Sequence, residues 1–144
     1  MTGVFSAIGT FFGNAWPYLV AILLFLVMIF IHEFGHFISA KLLGVRVNEF
    51  AIGFGPALFK KQGKETLYAV RALPFGGFCA MEGEDEESGD ERAFCNKSAW
   101  RRFIIVIAGA FMNLVLGFLL VMCTLAPADR YITTTVHSFH ENSL

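Results

Sequence analysis

The chain has 144 residues, 56% of them hydrophobic and only 16% charged, with a net charge of −1. A soluble globular domain carries about 25% charged residues, so this composition excludes an ordinary soluble protein, and the near-zero charge gives no footing for a nucleic-acid partner. The three cysteines, Cys79, Cys95 and Cys123, form no C-x-x-C pair and are read as reduced thiols rather than a disulfide framework.

The first predicted element is an apolar span from Tyr18 to Leu43, introduced by Trp16-Pro17-Tyr18. It is long enough to cross a hydrocarbon core of about 30 Å with some tilt. No Lys or Arg precedes Lys41, so the basic flank of a signal peptide is missing and the segment is read as a retained membrane helix behind an exoplasmic segment, 1–17.

Residues 44–102 form the connecting loop. Nine of the eleven Lys and Arg residues lie there, which by the positive-inside rule places it in the cytoplasm and both termini outside. Val45 to Phe54 and Thr66 to Leu73, the latter stopped by Pro74, have strand character. The polar turn Lys60 to Lys64 between them predicts a membrane-associated β-hairpin. Glu82 to Asp90 reads as a solvated acidic linker without chemistry. A second, uncharged span from Phe103 to Ala126 follows Trp100-Arg101-Arg102, and 127–144 is an exoplasmic tail. The expected fold is therefore an α-helical multi-pass membrane protein, with two transmembrane helices and a cytoplasmic β-hairpin loop between them.

Within the first span stands His32-Glu33-Phe34-Gly35-His36, an H-E-x-x-H motif. On a helix, residues four apart share a face, so His32 and His36 can ligate one zinc ion while Glu33 stands beside it as general base. The motif alone arises by chance in soluble helices. An ionisable group inside a bilayer helix, however, costs about 2.5–3.5 kcal/mol on insertion scales and is seldom incidental. In the second span Gly109, Asn113 and Gly117 recur at intervals of four. Such a small-residue face admits a close helix neighbour, and it would bring Asn113 near the zinc as candidate active-site support. His137 and His140, in the tail, read as surface histidines.

Taken in order, these stretches resemble the site-2 protease family, in particular the bacterial regulator-of-sigma-E type of zinc metalloprotease. The resemblance rests on His32 to His36, Gly53-Phe54-Gly55-Pro56, Tyr68, Pro74 to Phe78 with Met81 to Glu84, and Ala108 to Asn113. It implies a zinc enzyme of the bacterial cytoplasmic membrane that cuts transmembrane protein substrates, such as anti-sigma factors or remnant signal peptides. It also implies that the hairpin at 45–73, with Gly53, Phe54, Gly55, Gly76 and Gly77, holds substrate in extended form. The family usually has Gly-Pro where this sequence has Gly109-Ala110. Its third zinc ligand is an aspartate before a glycine in a later helix; Asp129 is followed by Arg130 and does not match. The expectation is an N-terminal fragment whose missing partners are a PDZ module, begun at most by Tyr131 to Leu144, and the later helices. The competing expectation is an inactive membrane scaffold with a vestigial zinc site. A protease with its zinc domain in the cytosol fits the motif's position less well, and a transporter's proton relay does not account for the spacing.

Overall fold

The computed structural model describes residues 2–126, with side chains described from residue 15 onward and at Gly13. The elements are α1 (Thr2–Leu42), β1 (Val47–Gln62), β2 (Leu67–Met81) and α2 (Ala99–Leu125). The sequence readings for 127–144, including Asp129, His137, His140 and a PDZ start, lie outside the described residues.

Helix α1 begins well before the predicted Tyr18 and carries Pro17 inside it. Its stretch Ala15–Leu42, and α2 over its whole length, are each long and apolar enough to cross a membrane. At 1.5 Å per residue each reaches about 40 Å. Leu19, Leu23, Phe25, Val106, Phe111 and Phe118 are among the many large apolar side chains on these helices that the described residues leave exposed.

The strands run further than predicted. β1 continues through Gly53-Phe54-Gly55-Pro56 to Gln62, and β2 continues past Pro74 to Met81. Two glycines account for this. Gly53 (φ 84°) and Gly76 (φ 78°) adopt a backbone region that other residues rarely enter, so the ribbon bends at these points without ending. Pro74 falls at the bend, between the Phe54–Leu73 and Ile52–Gly77 pairs, where its missing N–H breaks no ladder bond. The bend folds the ribbon over itself. Phe50 is in register with both Cys79 and Tyr68, and Ile52 with both Gly77 and Val70, so residues 49–52 lie between the two halves of β2. Among the described residues no further strand pairs with the other side of 77–81.

The base of this folded ribbon packs on the last turns of α1 and the first turns of α2. Val45, Val47, Phe50, Cys79, Met81 and Ile105 form a buried cluster with Ala40, bordered by Phe34 and Phe37. Burying a Val, Ile or Phe side chain contributes roughly 1.5–3 kcal/mol, so this cluster fixes where the hairpin stands relative to the helices. Burial also pushes the Cys79 thiol up to about 12, with the Glu33 charge a lesser contributor, so this cysteine is a packing group and not a nucleophile.

The acidic segment is more than a solvated linker. Glu82 accepts from Asn48 (2.7 Å) and Ser88 (2.7 Å), while Asn96 donates to the carbonyls of Ser88 (2.8 Å) and Asp90 (2.9 Å). Arg46 pairs with Asp90 at 3.3 Å. Lys41 and Arg92 both pair with Glu65, joining the end of α1, the hairpin turn and this loop. Composition reported the charge here; the partners that fold the loop back are single polar residues, Ser88 within it, Asn96 just beyond it, and Arg46 and Asn48 far from it in sequence.

Candidate metal centre and substrate cleft

The site is made where α1 crosses α2. Gly35 faces the main chain of Ala108, and a Cβ on Gly35 would lie 2.9 Å from the Ala108 carbonyl carbon. Only glycine lets the helices approach this closely. The next residue of α2, Gly109, is buried against both imidazoles. A Cβ there would lie 2.8 Å from His36 Cε1 and 2.9 Å from His32 Cε1, and closer still to His36 Nε2. Gly117 behaves differently: nothing described lies within 4 Å of a Cβ placed on it. The small-residue face inferred from the sequence is therefore used at Gly109 and Asn113 and not, among the described residues, at Gly117.

The two histidines turn the same nitrogen toward each other, Nε2 to Nε2 at 3.3 Å. Two ligands at about 2.0–2.1 Å from a tetrahedral zinc stand about 3.3–3.4 Å apart, so the pair is spaced to share one ion. The outward nitrogen of His36, Nδ1, donates to the Ile105 carbonyl at 2.8 Å. A carbonyl only accepts, so the ring proton sits on Nδ1 and the Nε2 lone pair is free for a metal. The hollow over Gly109 is the space a side chain would have filled. Donor type, spacing and hollow all fit zinc. The described residues offer two candidate ligands; no cluster of three or more His, Cys, Asp or Glu side chains is found among them.

Glu33 is half-buried, and among the described residues no ion pair holds its carboxylate. It borders two openings. A cleft of about 480 Å³ is lined by Glu33, His36, residues 77–81, Glu84, Asp85, Ile105 and Val106. A smaller one of about 240 Å³ is lined by Met28, Ile29, His32, Glu33, Gly76, Gly77 and Asn113. A Cβ on Gly77 would lie 3.0 Å from Glu33 Cγ and 2.9 Å from the Ala51 carbonyl oxygen, so the strand passes the carboxylate at contact distance.

The structure thus brings together His32, Glu33, His36, Asn113, Gly76 and Gly77. Gly53, Phe54 and Gly55 lie one layer back: Gly53 packs on the main chain of Leu73, and Phe54 lies against Gly76 and stacks on Phe78 with ring centres 6.4 Å apart. They shape the bend and line neither opening. The strand that borders the cleft is 77–81, beyond the 45–73 range expected from the sequence. The Ile105 carbonyl was also missed, because a main-chain acceptor leaves no mark in a sequence.

Comparison with known proteins shows the family. Residues 20–141 match the model of peptidase family M50. A Clostridium acetobutylicum protein is 51% identical over 124 residues, covering 86% of this chain and 36% of its own. A Clostridium perfringens protein is 47% identical over 123 residues, 85% of this chain and 36% of its own. A Fusobacterium nucleatum protein is 43% identical over 113 residues, 78% of this chain and 33% of its own. All three carry the name putative zinc metalloprotease, and this chain spans about a third of their length. With the match running from the motif-bearing helix through the hairpin and α2, the chain belongs to peptidase family M50, the site-2 protease family.

Proposed function

We propose that this chain carries the metal-binding and substrate-cleft portion of a zinc intramembrane protease, one that hydrolyses peptide bonds within transmembrane segments of substrates such as anti-sigma factors or remnant signal peptides. The observation that carries the reading is the convergence of His32 and His36 Nε2 at 3.3 Å, beside Glu33 and a free strand edge, on a helix long enough to cross a bilayer. The uncovered apolar sides of α1 and α2 support a multi-pass protein in a bacterial cytoplasmic membrane. The concentration of Lys and Arg in 44–102 supports a cytoplasmic loop with exoplasmic termini.

His32 and His36 would hold the zinc ion, which when bound polarises a carbonyl and lowers the pKa of water toward about 7. Glu33 takes the proton from the attacking water and returns it to the leaving amine. The edge at 77–81 addresses a separate difficulty. A helical substrate keeps its amide hydrogen bonds to itself, and an unpaired strand can replace those bonds once the segment unwinds. Gly77 brings that edge against Glu33, so a strand added there runs past the base. The rest of such a protease, with a PDZ module and later helices bearing an aspartate, would supply the third ligand.

Full-length protein in proteoliposomes, given a single-span substrate, tests this reading. Cleavage that requires zinc and is lost in Glu33→Gln is expected. An inactive scaffold would be indifferent to the substitution, and equal behaviour of wild type and Glu33→Gln would establish that alternative.

A further inference from the structure

We propose that Asn113 is the positioning residue of His32: its side-chain oxygen accepts the Nδ1–H of that imidazole and thereby keeps Nε2 free for the metal. The proposal rests on the metal-centre reading above and assigns its second support. A neutral imidazole carries one N–H, so a histidine that ligates through Nε2 must hold its proton on Nδ1 and needs an acceptor there. His36 has one in the Ile105 carbonyl at 2.8 Å. Against Nδ1 of His32 stands the amide of Asn113, its nitrogen 3.3 Å away.

An amide has a donor end and an acceptor end of nearly the same shape, exchanged by a half-turn. With the NH2 group toward His32, Nδ1 must accept. The ring proton then sits on Nε2, pointed at His36 Nε2 3.3 Å away, and the pair is closed to a metal. With the oxygen toward His32, both Nε2 lone pairs are open. The half-turn is inexpensive: Asn113 Oδ1 is buried and has no hydrogen-bond partner where it stands, so the turn sacrifices no other bond.

The placement on α2 is regular. Ile105, Gly109 and Asn113 follow at intervals of four and so lie along one strip of the helix. The first supplies a carbonyl to His36, the second the hollow for both rings, the third the amide to His32. One helix thus sets the tautomer of both ligands on its neighbour. A plain packing role for Asn113 would require a polar contact across the helices but not an acceptor.

The test uses full-length protein in detergent micelles, with zinc affinity measured against a chromophoric chelator and the His32 tautomer read from imidazole ¹⁵N shifts. Asn113→Leu keeps the shape and removes the acceptor; Asn113→Asp keeps an acceptor in either orientation. We expect Nδ1-protonated His32 in zinc-loaded wild type. We expect zinc affinity about 10–100-fold weaker in Asn113→Leu, the usual effect of losing a ligand's supporting partner, with recovery in Asn113→Asp. Wild-type affinity in Asn113→Leu, or Asn113→Asp as weak as Asn113→Leu, overturns the proposal. A zinc-loaded His32 without a proton on Nδ1 overturns it too, and that measurement needs no variant to fold. Zinc binding that His36→Ala leaves unchanged would instead overturn the metal-centre reading itself.

Discussion

Replacing Gly109 by Ala adds one methyl group and tests whether the helix crossing makes the metal site. In an exposed helix interior the change would be favourable by about 0.8–1 kcal/mol, because glycine is a poor helix former. At position 109 the new Cβ would stand 2.8 Å from His36 Cε1 and 2.9 Å from His32 Cε1, against about 3.5–4 Å for an unstrained carbon pair. The rings must retreat by more than half an ångström or the helices must part. Overpacking of this kind costs about 1–3 kcal/mol, and loss of the bond from His36 to the Ile105 carbonyl about 0.5–1.5 kcal/mol more. The balance is a net destabilisation of about 1–3 kcal/mol. Because ligand sites tolerate errors of only about 0.5 Å, zinc affinity should fall at least tenfold. Gly117→Ala is the control: it brings the same helix gain in the same helix, with nothing described within 4 Å of the added carbon. Thermal unfolding in micelles and chelator competition measure both effects. Equal stability and equal zinc affinity in the two variants would refute the idea that Gly109 is the hollow in which the histidines meet.

Glu33→Gln should lower the hydrolysis rate by about 10²–10⁴-fold, the usual contribution of a general base, while zinc affinity changes little; a large fall in zinc affinity would make Glu33 a ligand. Gly77→Val places a branched side chain against Glu33 Cγ and the Ala51 carbonyl, so the rate should fall with zinc binding preserved. A Gly77→Val enzyme with wild-type kcat and KM would remove the 77–81 edge from the active cleft. Glu65 is held at about 2, below its ordinary 4.5, chiefly by its hydrogen bond to Arg92 and then by that to Lys41. Its folded pKa is depressed, so its stabilisation is present above pH 4.5 and is lost as the pH falls toward 2. These groups are largely solvated, so the effect is modest and weakens with salt. Protease nicking of the 82–98 loop should rise across that window in wild type and rise less in Glu65→Gln, where the Glu82 and Asp90 carboxylates, also lowered in pKa, still titrate but Glu65 does not.

How much of the site a sequence discloses depends on whether its chemistry is local. His32, Glu33 and His36 were legible because one helix sets their spacing, and Asn113 because an amide in an apolar run is conspicuous. The role of Gly109 was only half legible: a small residue announces a close approach without saying which groups approach, and Gly117 announces one that the described residues do not make. The hairpin was legible as two strands and a turn. Its reach was not, because Pro74 and the glycines that look like strand breakers are the bends that let the ribbon continue. The expected hairpin therefore stopped at 73, short of the 77–81 strand that borders the cleft. The acidic loop misled for a related reason: charge density is a property of composition, while Asn48 and Arg46 reach it from far back in the sequence and Asn96 from just beyond it.

On the proposed reading, substitutions in α2 should act on a metal site whose ligands, His32 and His36, lie on α1, because the groups beside both imidazoles belong to α2. Ile105 contributes through its main chain, so no side-chain substitution there deletes the carbonyl, although one that shifts the helix would misplace it. The distance between the helices is set by Gly35 against Ala108. Any change that widens this crossing lengthens the 2.8 Å bond to His36 and the 3.3 Å contact to His32 together. Packing and metal affinity are therefore coupled at positions 35, 105, 109 and 113. Double substitutions among these four should show interaction free energies of about 0.5–3 kcal/mol, whereas pairing any of them with Gly117→Ala should be additive within about 0.5 kcal/mol. Additivity throughout would mean that the helix crossing and the metal site are independent, and that α2 does not orient the ligands of α1.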